Sequence, residues 1–478
     1  MGETKNIKPN RTSYRLNRFF CTTISLVLIF TVFWTVSVAA QSTSHPSAAP
    51  LPPTLPPRMP RAPGQKFIDE VWHELETATF AAPTFEELGT LHEGYSFEEL
   101  WAIAQVSHPS LRQKANLITA ASGKRLQAGL YPNPRATYSG DNLGVHGEIG
   151  KHGLSITQEI VTAKKKKLDR EIASYDVAAA RREYSMECLK LRNDLKIAHC
   201  EMLHAILVCK VEHFAYNLSR DLLNAAIALQ KEEKSHSVDV LKFRTMFNSD
   251  DLNCKQVEND SSAMWQHVVA IMGTPDLPYQ PVRGSLIDHS PPRDWQTTWT
   301  QFQQASPQLA LAQLKTAQAR IYLSRQEAEQ TANVFATFSL SRDIPAKLTV
   351  PFVGISVPLN IYDRNQGNIL KARAEVAAAQ REVERVTLSL HKKMAAAFYS
   401  YDNACKLVQA YETSIIPDSF EVLRQIGENY YNGEMTYLDL YAQRQAAVGT
   451  LRSYINALKT KAITIIQMDG MLLEGSLD

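Results

Sequence analysis

Two pairs of side chains in the sequence have the chemistry of metal ligands. His146 and His152 lie in the loop-like stretch GVHGEIGKHG, and Glu201 and His204 stand three residues apart in a segment of helical spacing. Loop and surface histidines are ordinarily solvated, so neither pair is assigned as a metal site and no cofactor is expected. The six cysteines show no CxxC spacing, and with Cys21 set aside an odd number remains, at 188, 200, 209, 254 and 405. They read as small apolar residues in helix seams rather than a disulfide framework or a zinc cluster. The basic run AKKKK, Ala163 to Lys167, admits two readings, a solvated helix start or an anchor to anionic lipid head groups. No phosphate-binding loop, nucleophile elbow or HExxH motif is present, so the chain is not expected to be an enzyme.

The elements around these residues say more. Lys5, Lys8, Arg11, Arg15 and Arg18 precede an apolar run from Ile24 to Val38 and then Ala39-Ala40-Gln41, the layout of a secretory signal. An uncleaved membrane anchor is the alternative reading of that run. Cys21 precedes it, which argues against lipid attachment. Of 51 basic and 49 acidic residues the segment holds five and one, which leaves 46 against 48, a net charge of −2. So near-neutral a chain is a poor partner for nucleic acid. A proline-rich stretch from His45 to Gly64 reads as an extended linker, followed by a short helix near Phe67 to Thr77.

The body then repeats itself. SHPSLRQK (Ser107 to Lys114) matches ASPQLALA (Ala305 to Ala312), GLSITQEI (Gly153 to Ile160) matches GISVPLNI (Gly354 to Ile361), and SVDVL (Ser237 to Leu241) matches YLDLY (Tyr437 to Tyr441). The offsets are 198, 201 and 200 residues. On this basis 1–40 is read as signal peptide, 41–66 as linker, 67–94 as an N-terminal segment, 95–273 as the first repeat, 274–297 as an inter-repeat linker, 298–471 as the second repeat and 472–478 as a tail.

Each repeat changes its hydrophobic period. Val334, Ala336, Phe338 and Leu340 alternate with mostly polar neighbours, and Leu348 to Leu359 resumes an extended pattern after a turn. Val353, Ile355, Val357 and Leu359 share one face while Val350 and Phe352 lie on the other, which predicts a bulge or a change of environment midway. In the first repeat Ala136, Tyr138 and Gly140, then Leu154, Ile156 and Ile160, give two strands of the same kind. Ile369, Ala372, Val376, Ala379, Val383, Val386 and Leu390 are then spaced as a coiled-coil seam, as are Leu195, Ala198, Met202, Ala205 and Cys209. Uninterrupted helices from Asn368 to Ile426 and from Lys164 to Leu229 would be about 88 Å and about 99 Å long. Four strands cannot close a barrel, whereas about twelve from three copies can. The expected fold is mainly α with a small β part: duplicated strand-strand-long-helix repeats, four transmembrane strands per chain completing a trimeric barrel above a coiled-coil tunnel.

With these elements in place, the chain resembles the TolC-like outer-membrane efflux family from about Tyr95 to Met471. YSFEELWAIAQVSHPSL (Tyr95 to Leu111) and NYYNGEMTYLDLYAQRQAAVGTL (Asn429 to Leu451) carry the likeness, and LYPNP and PLNIYDRNQGNIL are closer in look to the branch exporting heavy-metal cations. The resemblance implies a homotrimer in the outer membrane of a Gram-negative-type cell. It also implies a periplasmic extension, a periplasmic adaptor and an inner-membrane proton-driven transporter of the RND type. It places Asp439 at the periplasmic aperture with Gly433 and Tyr430, and Asp239 as the repeat mate of Asp439. Ala442 and Met435 stand where the family often has a second acid and an arginine, so its gating network does not carry over whole. The strand–helix junction is expected at Pro358, Asp363, Asn365 and Gly367, with Pro358 ending the ladder, Asp363 or Asn365 capping the helix and Gly367 letting backbones crowd. In the first repeat TQEIVTAKKKK holds the same place without proline or glycine. Multidrug and type I secretion ducts stay open as alternatives, and a periplasmic coiled-coil adaptor or a structural protein are the rivals of another class.

Overall fold

The computed structural model describes residues 90–476 except 92, 145–148, 232–235, 289 and 432–433. All of these belong to one unit, Gly64–Asp478. The signal, the linker, the short helix near 67–77, His146 and Gly433 lie outside the described residues.

The element order runs twice. After a two-residue strand β1 (Thr90–Leu91) come α1 (Phe97–Ser107), α2 (Pro109–Gly129), β2 (Arg135–Asp141), β3 (Lys151–Ile160), α3 (Lys165–Lys231) and α4 (Ser237–Met272). After the short β4 (Gly284–Ser285) come α5 (Trp295–Ala305), α6 (Pro307–Ala328), β5 (Val334–Asp343), β6 (Leu348–Ser356), α7 (Gln366–Ala410), a π turn (Tyr411–Ile415), α8 (Ile416–Tyr431) and α9 (Tyr437–Asp469). The aligned SHPS and ASPQ stretches both break a helix. Pro109 and Pro307 take the first helical position, where a missing N–H costs nothing, and His108 and Ser306 before them are extended and accept backbone N–H bonds. Ser96 and Glu99 close a capping box that starts α1.

β2, β3, β5 and β6 form one antiparallel sheet in that order. Pairing puts Ala136, Ile156, Phe338 and Val353 in one row and Tyr138, Leu154, Leu340 and Pro351 in the next. This face is apolar and exposed, with Val353 75% and Ile355 76% open. The opposite face carries Thr137, Ser155 and Ser339 in one row and joins Thr157 to Thr337 through their hydroxyls at 3.1 Å. The expected bulge is not there, because β5 and β6 pair without a break from Phe335↔Ser356 to Asp343↔Leu348. Val350 and Phe352 simply sit on this second face, as do Phe335 and Leu348 at its two ends. The ring of Phe352 occupies the space over Gly354, where a Cβ would lie 2.8 Å from its Cε1 and Cζ.

α3 runs unbroken for 67 residues, about 100 Å at ~1.5 Å per residue. The helix expected from Asn368 to Ile426 is interrupted by the π turn, and α8 then continues to Tyr431. Pro417, the second residue of α8, has no N–H to return to the preceding turn, and the wider π turn takes up the mismatch. The seam positions Leu195, Ala198, Met202, Ile369, Ala372 and Leu390 are buried. Ala205 and Cys209 are half-buried, because the buried stripe shifts to four-residue steps at Leu203, Leu207, Val211 and Ala215. A helix of 3.6 residues per turn drifts in this way against a 3.5-residue seam.

The five described cysteines are free. Burial pushes the Cys200 thiol up to about 12 and those of Cys209 and Cys254 to about 11, with neighbouring carboxylates adding to the rise. Cys200 and Cys254 are therefore expected to resist a maleimide at neutral pH in the folded protein and to react in denaturant. Mass spectrometry of labelled peptides reads the outcome, and full labelling of Cys254 without denaturant would contradict its burial.

Candidate functional site

The two strand–helix junctions are built alike. In the second repeat the ladder ends at Ser356, so Pro358 lies two residues beyond it. Asp363 Oδ1 accepts from Asn365 N at 2.9 Å. Asn365 is left-handed, φ 60°, and makes no side-chain cap. Its Nδ2 instead donates to the carbonyl and Oε1 of Gln326 on α6, at 2.8 and 3.0 Å. The expected cap is thus a clamp between two helices. Gly367 does not let backbones crowd, since within the chain a Cβ there would meet nothing within 4 Å.

In the first repeat, Lys164 is left-handed as well, φ 57°, and lies 201 residues before Asn365. Lys165 is buried, 2% exposed, and this corrects both readings of the basic run at that residue. Its Nζ donates to Thr331 O at 2.6 Å and Asn333 Oδ1 at 2.8 Å, with Glu329 at 3.6 Å. Asn333 also accepts from Thr162 N and donates to Glu159 Oε1 at 2.6 Å. Beside them Arg325 pairs with Asp169 at 2.6 Å and with Glu329. These bonds tie the start of α3 to the last turn of α6 and the short connection from α6 to β5, so the two repeats share one junction. Lys165→Met is expected to cost about 2 kcal/mol, because it removes charged hydrogen bonds from a half-buried cluster. Thermal unfolding in detergent measures it, and an unchanged midpoint would show that the cluster is solvated.

At the other end of the helices, the first residues of α4 and α9, Ser237 and Tyr437, stand at the same repeat position, 200 apart. Phe243 of α4 meets Tyr437 edge-on at 4.6 Å and Tyr430 at 6.0 Å. Lys242 lies over the Tyr437 ring at 5.1 Å and pairs with Asp239 at 3.1 Å. Burial, with the charge of Asp239 beside it, pushes the Tyr430 phenol up to about 12. The structure therefore brings Asp239 and Tyr430 together.

Asp439 is exposed and closes a capping box with Thr436. Its Oδ2 accepts from Thr436 N at 3.0 Å and from Thr436 Oγ1 at 2.6 Å, and these bonds hold its carboxyl below the usual range. The T-x-x-D spacing of Thr436 and Asp439 is a capping signal that the sequence reading did not use. Met435 is exposed beside them.

The other candidates do not assemble. His152 spends its ring nitrogens on Tyr138 Oη at 2.5 Å and Ile149 O at 3.1 Å. His204 bonds Asn456 at 2.7 Å, while Glu201 faces His267 at 3.9 Å. Among the described residues no three His, Cys, Asp or Glu side chains lie close enough to hold a metal ion.

A feature that no motif marked lies above the tip. Arg444 of α9, 1% exposed, pairs with Asp250 of α4 and donates to Ala215 O of α3 at 2.7 Å. Two turns on, Arg452 pairs with the buried Glu212 of α3 at 2.5 Å. These pairs bolt the second repeat's α9 to the first repeat's hairpin.

No family model matches the chain. It is 22% identical over 393 residues to the cobalt-zinc-cadmium resistance protein CzcC of Cupriavidus metallidurans, covering 80% of this chain and 90% of that protein. Among solved structures, the outer-membrane channel OprN superposes with a TM-score of 0.67 at 15% identity, over 85% of this chain and 92% of its own. The outer membrane protein VceC of Vibrio cholerae does so with a TM-score of 0.64 at 14% identity, over 79% and 94%. The duplicated elements and these superpositions together give the chain the fold of the TolC-like outer-membrane channels.

Proposed function

We propose that this protein is the outer-membrane channel of a tripartite efflux system, conducting exported substrate passively from an inner-membrane pump to the exterior. The observation that carries the reading is the four-stranded sheet. One face is apolar and exposed, and both its edge strands, β2 and β6, lack a second neighbour among the described residues. Such edges leave backbone groups unpaired, at several kcal/mol each in lipid. Three copies of the chain remove them by closing a barrel of about twelve strands. The long helices then supply the wall of a periplasmic tunnel, and the polar face of the sheet lines its continuation through the membrane.

The similarity to a cobalt-zinc-cadmium resistance protein supports heavy-metal cations as the substrate. The pump is an inner-membrane proton-driven transporter of the RND type, reached through a periplasmic adaptor that grips the helical tips. The protein holds no resident metal in this reading, since its cargo passes through without a site built to retain it.

Protein extracted in detergent from outer-membrane fractions is expected to run as a trimer and to show the heat-dependent gel shift of a β-barrel. A deletion strain is expected to lose growth on cobalt, zinc or cadmium salts and to keep it on a drug panel. A monomer with no heat shift would sink the channel reading. Sensitivity to drugs alone would keep the channel and replace its substrate.

A further inference from the structure

Charge on α3 is sorted by face. Asp169, Asp176, Glu183, Glu187, Asp194 and Glu201 follow one another at steps of 7, 7, 4, 7 and 7 residues, which sets them on one stripe of the helix. Neighbouring elements use these acids. Asp169 pairs with Arg325 of α6, and Asp176 takes Gln318 of α6 at 2.5 Å and Lys124 of α2 at 2.9 Å. Glu183 meets Lys114 of α2 at 3.7 Å, and Asp194 accepts the backbone N–H groups of Gly475 and Ser476. Helices α2 and α6 thus both reach the acidic stripe, one from each side, and the layer they form with α3 bends toward it.

The other face is basic and unanswered. A groove of about 350 Å³ between α2 and α3 is lined by Arg125, Arg181 and Arg182 with Ser174 and Ser185, and no carboxylate lines it. All three arginines are exposed, and their guanidinium groups make no ion pair or hydrogen bond to any other described residue. Helix α2 cannot supply an acid, since its 21 residues hold Arg112, Lys114, Lys124 and Arg125 but no Asp or Glu. Like charges gathered in one groove repel, and planar guanidinium forks are satisfied by a carboxylate or a phosphate. Depth decides between the two. Arg181 lies 16 residues past Lys165, the start of α3, which puts it about 24 Å below the strand–helix junction at ~1.5 Å per residue. The polar layer of one leaflet is only about 5–8 Å deep, so lipid phosphates at the junction do not reach the groove.

We propose that the Arg125–Arg181–Arg182 groove binds the carboxylate-bearing peptides of the cell-wall polymer around the tube, and so tethers the tube to the wall. This rests on the channel reading. A layer bent toward one face closes into a tube with that face inward, so the acidic stripe turns to the lumen and the arginine groove opens outward on the periplasm. Each arginine offers two parallel donors to a carboxylate, and the serine hydroxyls beside them add further donors. An exposed pair of this kind is weak by itself. Three copies set three grooves around one tube, and a polymer with many carboxylates engages them together.

Cosedimentation of the detergent-purified protein with isolated cell-wall sacculi tests it. Native mass and the heat-dependent gel shift are measured first, and a monomer without the shift overturns the channel reading and the outward placement with it. The trimer is expected to sediment with sacculi at low salt, to release as salt rises, and to ignore sacculi whose carboxylates have been amidated. The triple variant Arg125→Gln, Arg181→Gln, Arg182→Gln is expected to stay trimeric and to bind about a hundredfold more weakly, the lower end of what linked sites supply. A control removes three exposed arginines of α7 that pair with acids, as Arg373→Gln, Arg381→Gln and Arg385→Gln, and is expected to bind as the unmodified protein does. Equal losses in the two variants would reduce the effect to net charge and overturn the site. Citrate serves as the free carboxylate. Calorimetric binding of citrate that the first variant loses, with no retention on sacculi, would make the groove a small-anion site and overturn the wall assignment. A first variant that still binds sacculi but changes the cation-to-anion permeability ratio in planar bilayers would place the arginines in the lumen and overturn the proposal. Soluble wall fragments should also protect the three arginines of the unmodified trimer from phenylglyoxal, read by mass spectrometry, and an absence of protection counts against the groove without any substitution.

Discussion

Replacing Arg444 by methionine is expected to cost about 3–5 kcal/mol, because it leaves a buried carboxylate without its partner. Asp250 is nearly as buried as Arg444 (5% against 1%), and the guanidinium also satisfies Ala215 O at the crossing of three helices. Asp250→Leu alone is expected to cost as much, since it strands the arginine. The double variant Arg444→Met with Asp250→Leu should recover most of the loss, as apolar side chains of similar volume fill the place of a buried pair. Far-UV circular dichroism melts in detergent measure all three. Additive losses in the double variant would show that the two side chains act separately. The position of the pair gives the result a functional edge. It joins α9 of the second repeat to α3 and α4 of the first, less than ten residues into α9 from the proposed aperture. Variants that loosen it are expected to leak as well as to melt.

The sequence made some of this plain and hid the rest for physical reasons. Strand period, seam spacing and the helix break at each proline are local signals, and they are legible in Val334 to Leu340, in Ile369 to Leu390 and at Pro109 and Pro307. The offset near 200 residues was legible because the duplicated elements keep their lengths. Lys165 was not legible. Four consecutive lysines read as a solvated run, and which one turns inward is decided by Thr331, Asn333 and Glu329, more than 160 residues away. Arg444 was hidden for the same reason, as an arginine in a polar AQRQ stretch whose partner lies 194 residues earlier. The apolar residues on both faces of β6 suggested a bulge, but the ladder is regular. Period alone does not separate a bulge from a strand with two apolar faces. Gly367 misled in the opposite direction, since glycine before a helix suggests crowding and none exists within the chain.

Reversing the charge at Asp439 is expected to change transport the most. In the proposed trimer, three copies of this exposed carboxylate surround one axis at the periplasmic end, and a ring of like charge raises the local concentration of cations. Asp439→Lys is expected to lower single-channel cation conductance by about tenfold or more, the lower end of what such focusing supplies. Asp439 also serves as the N3 residue of its capping box, so a loss of function from one substitution would be ambiguous. Asp439→Asn separates the roles. The amide oxygen can still accept from Thr436, so the start of α9 should hold, while the charge is gone and conductance should fall toward that of the lysine variant. The pH response carries the same signature. The two bonds from Thr436 hold the carboxyl below its usual range. Its contribution is therefore complete above the ordinary carboxylate pKa, and it is lost only as pH falls through the lowered folded value. Cation conductance should accordingly stay flat as the periplasmic side is acidified through the range where unperturbed carboxylates titrate, and Thr436→Ala should move the fall to higher pH. If Asp439→Asn conducts cations as well as the unmodified protein, Asp439 is a helix cap and nothing more, and the charge at the aperture must come from elsewhere, with Asp239 the first place to look.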